Sequence, residues 1–432
     1  MLCAVGLALG LIRLDMFLLS IGSDELPWFG AMEADAARRI LATTASTMVT
    51  IAGLVFSITM VVLQLASSQF GPRLLRTFVG DVGNQAILGT FVSAFLYCLL
   101  VLATVRNEPS GFVPLVSTAV GLLFGVAGIG VLVFFIHHIA QSIRVERVVA
   151  AVVADLHRAI ERSAPSEAAD EPVLNATPGP TGPGQRLRAG ASGYVRTVDE
   201  EALLGIARDC DLLIRLRCRP GDAVVAGDVL GELWPPGAEG KVAASVLGAI
   251  GVGSERTPAQ DVRYVLRQLA EIAVRALSSG INDPFTAAEC IDGITAGLHG
   301  AASRGDPPTH WRDGEGRPRL ELPPLGLCDL TAAALGPIAR AALEDGSITA
   351  QLIGAVGRIG EPSGSPVERR RLRDLAQSIA EDCRCRSARD RATLARSYED
   401  CLWRLGGISL RSAEAATIPE RPRERSAAAT AS

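Results

Sequence analysis

Apolar residues are spread unevenly along this chain. No side chain is charged between Arg39 and Arg73, and none between Asp81 and Arg106. Between Glu108 and Arg144 only His137 and His138 can take up a proton. Each run exceeds the roughly 20 residues that a helix needs to cross a bilayer. Together with an apolar N-terminal stretch they predict spans near residues 1–21, 42–67, 84–105 and 113–138. The first span reads as short, because Leu2 to Ile12 is apolar and Arg13 and Asp15 then interrupt it. That apolar part alone reaches only about 16 Å. It lacks the basic start and the small-residue cleavage site of a signal peptide, so Met1 is expected to fall inside a first helix.

The second span carries the most informative pattern. Thr43, Thr47, Thr50, Leu54, Ser57, Val61, Gln64 and Ser68 recur at alternating steps of four and three. That spacing draws a polar seam along a helix otherwise built of Ile, Leu, Val, Met and Phe. Lipid tolerates such groups poorly, so the seam is expected to face protein or water. Two readings stay open: a packing seam between helices, or the wall of a water-filled pathway lined by several copies. In the fourth span Gly121, Gly125 and Gly128 suit close helix approach. His137 and His138 end it, either as interfacial anchors or as a proton-sensing pair.

Short-loop charges orient the spans. Arg73 and Arg76 follow the second span and Arg144 and Arg147 follow the fourth, which places both segments on the cytoplasmic side. Trp28, in a loop also holding Asp24, Glu25, Glu33 and Asp35, then anchors the outer interface. The expected topology has four spans of a bacterial inner membrane with both termini inside.

Beyond Arg144 the composition changes. A connecting helix is expected over 146–163, and the Pro-, Gly- and Ala-rich stretch 164–192 reads as a flexible linker. Ser192 to Val198 is a strand candidate, with a short helix from Glu200. Ile214, Leu216 and Cys218 alternate with Arg215, Arg217 and Arg219, the mark of a half-buried strand. In Arg219-Pro220-Gly221-Asp222, proline sets the second position of a type II turn and glycine tolerates positive φ at the third. Gly221 to Leu230 is similar to the hairpin of biotinyl- and lipoyl-type modules. The single lysine, Lys241, lies outside that hairpin, so no carrier chemistry is expected and 193–240 reads as a small β-rich module.

Residues 241–405 read as a helical domain. Thr257-Pro258-Ala259-Gln260 predicts a capped helix start. Asn282-Asp283-Pro284 breaks the chain, with Asp283 as cap of the next helix or, in the alternative, as part of a ligand or metal site. A loop is expected over 301–324, helices from there to about Leu405, and a disordered tail over 406–432.

The chain totals 432 residues with 48% hydrophobic and 20% charged positions. Its net charge of −4 offers no basic field for nucleic acid. The nine cysteines show no paired zinc spacing, Cys383 and Cys385 being the only close pair, and read as reduced thiols. Neither a Walker-type phosphate loop nor a nucleophile elbow is present, and Gly251-Val252-Gly253 lacks the third glycine of a dinucleotide fingerprint. No cofactor, bound metal or catalytic residue is nominated.

Several stretches together resemble one family: 65–75 (LASSQFGPRLL), 135–140 (FIHHIA), Arg219 to Asp222, and 275–287 (RALSSGINDPFTA). It is the bacterial membrane proteins of the domain of unknown function 2254 family, and the similarity covers about residues 1–405. The chain departs from the pattern in its shortened first span and in Ser279, where a proline is usual. The resemblance implies a fold of about four membrane helices followed by an α+β cytoplasmic region, and implies no activity. The expected function is a self-associating channel or flux pathway in the bilayer. The alternative is a non-conducting scaffold or sensor that binds an unidentified cytoplasmic partner.

Overall fold

The computed structural model describes residues 1–20, 32–70, 82–106, 112–142, 144–162, 182–305 and 309–406. The chain divides into two compact units, Met1–Ala151 and Val152–Ser432.

The first unit is built from α1 (Leu2–Ser20), α2 (Ala34–Phe70), α3 (Val82–Leu102) and α4 (Leu115–Ser142), all long and apolar enough to cross a membrane. Only 17% to 33% of each apolar window is buried inside the protein. The rest is an apolar coat: Leu123, Val126, Ile129 and Val133 of α4 are each more than 60% exposed. Exposed apolar surface on this scale is stable against lipid tails and not against water.

Helix α1 runs straight through Arg13 and Asp15. Asp15 is only 4% exposed, because its carboxylate caps α4. Oδ1 accepts from Val116 N–H at 2.9 Å, and Oδ2 accepts from Ser117 N–H at 3.0 Å and Ser117 Oγ–H at 2.6 Å. The opening amides of a helix have no partner within it, and its positive end favours an anion. Satisfied in this way, the carboxylate does not end α1, whose 19 residues reach about 28 Å. Beside it, Tyr97 of α3 donates to Ser117 O at 2.9 Å and meets Phe124 edge-on at 5.0 Å.

Helix α4 approaches α2 along three glycines. A Cβ at Gly121 would stand 2.9 Å from Leu41 Cδ2, one at Gly125 3.4 Å from Thr44 Cγ2, and one at Gly128 2.8 Å from Met48 Cε. A larger residue at 121 or 128 would have to displace the end of the Leu41 or Met48 side chain. The buried face of α2 is therefore Leu41, Ala45, Met48, Ala52, Val55, Val62 and Ala66.

Helix α5 (Val145–Arg162) follows, and within the second unit its Val153 and Leu156 fit against Gly293 and Gly297. Next come β1 (Gln185–Arg188), β2 (Gly193–Val198), α6 (Glu200–Asp209), β3 (Leu213–Leu216), β4 (Ala223–Val224), β5 (Val229–Trp234), α7 (Gly240–Gly248) and β6 (Ile250–Gly253). The remaining elements are α8 (Val262–Ala276), α9 (Pro284–Ser303), β7 (His310–Arg312), β8 (Pro318–Glu321), α10 (Leu327–Ala341), α11 (Gly346–Gly360), α12 (Pro366–Asp382) and α13 (Ala388–Arg404). The strands form a five-stranded sheet ordered β1-β5-β3-β8-β7 and a three-stranded sheet ordered β4-β2-β6. Both contribute to one core with Leu187, Val195, Ile214, Val224, Leu233, Trp311 and Leu320. The helices α8 to α13 pack on one another around Leu266, Leu269, Ile294, Leu335 and Ile353. The fold is thus a four-helix membrane domain followed by an α+β region.

Four details differ from the sequence expectation. Strand β1 lies inside the stretch read as linker, because its register with β5 buries Leu187 among apolar neighbours; residues 164–181 of that stretch fall outside the described residues. The segment Gly221 to Leu230 is not a closed hairpin. Its strands join different sheets, β4 pairing with β2 and β5 with β1 and β3. The loop expected over 301–324 contains β7 and β8, strands of three and four residues that Trp311 and Leu320 anchor in the core. Finally, α8 starts at Val262 with Asp261 as its cap, four residues past the Thr257 signal. Gln260 instead binds the backbone of Val198 at the end of β2, accepting at 2.9 Å and donating at 3.3 Å. The tail expected over 406–432 lies, apart from Gly406, outside the described residues.

Replacing Asp15 by Ala strands the donors of Val116 and Ser117 in an apolar setting, a loss of about 2 kcal/mol. D15A is expected to lower the melting temperature of detergent-solubilised protein by several degrees. R13Q, changed at an exposed position of the same helix, is expected to leave it in place.

Candidate functional site

The polar seam of α2 points outward. Thr43, Thr47, Thr50, Ser57, Gln64 and Ser68 are all exposed, as are Leu54 at 51% and Val61 at 65%. This face lies opposite the one that packs on the other helices of the unit. Among the described residues, then, the seam is not the face on which the other helices of this unit pack. The glycines of α4 select Leu41, Thr44 and Met48 as the inner face, and the 3.6-residue period turns Thr43, Thr47 and Thr50 away from it. Ser46 and Gly53 lie on the same outward arc and extend the stripe. The sequence reading passed over both, although each sits three residues from a seam threonine.

Part of the stripe is internally satisfied. Thr47 Oγ1 donates to Thr43 O and Thr50 Oγ1 to Ser46 O, each at 2.8 Å, and Ser68 Oγ donates to Leu65 O at 2.8 Å. Such back-bonding lets a hydroxyl sit beside lipid or a dry helix contact at small penalty. Gln64 is different. Its amide carries two donors and an acceptor, more than one helix turn satisfies, and it has no partner among the described residues.

The other residues singled out by sequence occupy separate places. His137 is exposed and its Nε2 contacts the Gln141 side chain, while His138 stacks on Phe134 with centroids 5.7 Å apart. In the second unit, Arg219-Pro220-Gly221-Asp222 forms a turn closed by Asp222 N–H to Arg219 O at 3.0 Å, with Gly221 at φ +92°. A Cβ there would stand 2.2 Å from the Asp261 carboxylate, so space as well as φ requires glycine. Asp222 accepts from Arg219 N–H at 2.8 Å and from Arg263 Nη2 at 2.5 Å.

Asn282-Asp283-Pro284 joins α8 to α9. Asn282 adopts φ +51° and Pro284 opens α9. Both oxygens of Asp283 are engaged by Thr286, Oδ1 accepting from its N–H at 3.1 Å and Oδ2 from its hydroxyl at 2.5 Å. These bonds hold its pKa below the ordinary carboxylate range, the Thr286 hydroxyl contributing most. The geometry is that of a helix cap. Burial pushes the thiols of Cys290 and Cys401 up to about 12 and that of Cys218 to about 11, so these cysteines are protonated and unreactive at neutral pH.

The fold and the outward polar stripe describe a multi-pass membrane protein. The predicted membrane protein family DUF2254 matches residues 1–358, and the chain belongs to that family. The match ends before α12 and α13, short of the 405 residues over which the resemblance was expected to extend. The chain is 35% identical over 329 residues to the uncharacterized proteins Rv1290c of Mycobacterium tuberculosis and Mb1321c of Mycobacterium bovis. Each alignment covers 74% of this chain and 63% of the relative, so the chain spans less than two thirds of their length. No solved structure matches it.

Removing the Asp283 cap should destabilise the second unit by about 1 kcal/mol. Because the folded carboxyl ionises more readily than the unfolded one, its stabilisation is present above pH 4 to 5 and fades as the pH falls through the folded value. D283A is expected to lose stability at pH 7, and the difference from the parent is expected to shrink as the pH falls below the ordinary carboxylate range in a series of denaturant titrations. N282G, which suits φ +51°, is expected to match or exceed the parent.

Proposed function

We propose that the protein is a homo-oligomer of the bacterial inner membrane in which the α2 stripes of several copies face a shared axis and line a hydrated path. One observation carries this reading: the stripe of Thr43, Ser46, Thr47, Thr50, Ser57, Gln64 and Ser68 faces away from the chain's own helices. A single α2 encloses nothing, and its unpartnered Gln64 amide is unfavourable against lipid. Assembly around an axis removes the stripe from lipid at every copy by one repeated contact. The arginines after the second and fourth spans favour a cytoplasmic side for the α+β region, where it would assemble or gate the ring.

The back-bonded hydroxyls of Thr47, Thr50 and Ser68 favour a second reading, in which the same stripe forms a dry helix contact in a non-conducting scaffold or sensor. Both readings require self-association and differ in whether water reaches the stripe.

Native mass spectrometry in mild detergent is expected to give a defined ring of four or more copies; a monomer or simple dimer would sink the pathway reading. With exposed Cys3 and Cys210 replaced by Ser, Ser57→Cys should cross-link between copies. Gln64→Cys should react with a membrane-impermeant thiol reagent if the axis is hydrated and resist it if the contact is dry. Q64L should alter ion flux from loaded vesicles in the hydrated case. In the dry case it should change only oligomer stability.

A further inference from the structure

Arginines alternate along β3 and the residues that follow it, and the first two are paired. Arg215 meets Glu321 and lies 4.7 Å over the Trp234 ring, while Arg217 Nη2 donates to Glu232 at 2.6 Å. Arg219, just past the strand, is treated differently. Its Nε donates to Pro323 O, but its Nη2 is fully buried with no hydrogen-bond partner among the described residues. Leaving a buried guanidinium donor without an acceptor is unfavourable, and in native proteins an ordered water, an ion or a ligand commonly supplies one.

Arg219 lines a pocket together with Arg162, Glu200, Gln260, Asp261 and Arg263. Two of these charges are already compensated. Asp261 is held by Arg256 at 2.7 Å and accepts from Tyr264 N–H at 2.9 Å; Arg263 is held by Asp222 at 2.5 Å. Arg162 and Arg219 then face one carboxylate, Glu200, which leaves a net positive charge. Burial holds Glu200 above the ordinary carboxylate range, against the opposing pull of Arg219. The first turn of α8 forms another wall, and the start of a 15-residue helix adds partial positive charge.

We propose that this pocket binds a phosphoryl-type oxyanion, with Arg219 Nη2 as its central donor and Arg162 and Arg263 as flanking ones. Guanidinium forks match the oxygen spacing of phosphate, and the donors here exceed what the two oxygens of a carboxylate use. Glu200 opposes the ligand and limits its affinity. The site stands independently of the α2 stripe, since all its residues lie in the second unit.

The test uses the full chain in detergent, with inorganic phosphate titrated by calorimetry and thermal unfolding against chloride at equal ionic strength. Saturable binding and a phosphate-dependent rise in melting temperature are expected. R219M and R162Q should each weaken binding about tenfold, as expected for loss of one charge-assisted hydrogen bond. E200Q should tighten binding several-fold by removing a like charge. If R219M does not fold, R162Q and E200Q decide the outcome, since Arg162 is exposed and E200Q preserves shape. Phosphate acting no better than chloride would overturn the proposal, as would R162Q and E200Q both binding like the parent. Displacement of phosphate by glycerol phosphate would assign the site to a soluble phosphoryl compound. Displacement by dihexanoyl phosphatidic acid alone would assign it to a lipid headgroup.

Discussion

Hydrocarbon solvates neither a charge nor an unpaired amide, and that constraint organises the membrane unit. Asp15 is where it acts most strongly. A carboxyl group on a membrane helix is costly unless donors surround it, and the opening turn of α4 supplies three. The contact settles two demands together, because those backbone amides also lack partners within α4. It places the end of α1 beside the start of α4, and Tyr97 of α3 binds Ser117 in the same turn. Three helices thus meet at one polar knot inside an otherwise apolar bundle.

The same constraint makes the outer face of α2 the exceptional surface of this unit. Elsewhere many of the outward residues are Leu, Val, Ile and Phe, at home in lipid. Along α2 such residues share the outward surface with a continuous stripe of threonines, serines and a glutamine. Back-bonding lowers the penalty for some hydroxyls without removing it for Gln64. The self-association proposed above would withdraw the whole stripe from lipid, and the α2–α4 contact that turns it outward runs over Gly121 and Gly128, where an added Cβ would meet Leu41 and Met48.

In the α+β region the equivalent problem is burial of arginine. Arg319 is 6% exposed and is met by Asp313 at 2.8 Å and Asp211 at 2.7 Å, with the carbonyls of Ala207 and Leu212 at 3.4 Å. Arg215 and Arg217 have carboxylates on neighbouring strands. Against this pattern of complete pairing, the unfilled donor on Arg219 stands apart.

Much of this molecule was legible from residue order alone. A membrane span is a property of one continuous segment, so the four spans, the period of the polar seam and the type II turn at Arg219 followed from local pattern. Asp283 as a helix cap did too, since its partner Thr286 is three residues away. Tertiary structure decided the rest, because the partners are distant in sequence. Asp15 read as an interruption until α4, a hundred residues on, supplied its donors. The periodicity of α2 marked two faces, and only the glycines of α4 settled which one turns inward. Strands as short as β7 and β8 carry too few residues for a pattern and exist by pairing. The residues around Arg219 come from segments between 162 and 325, brought together by packing.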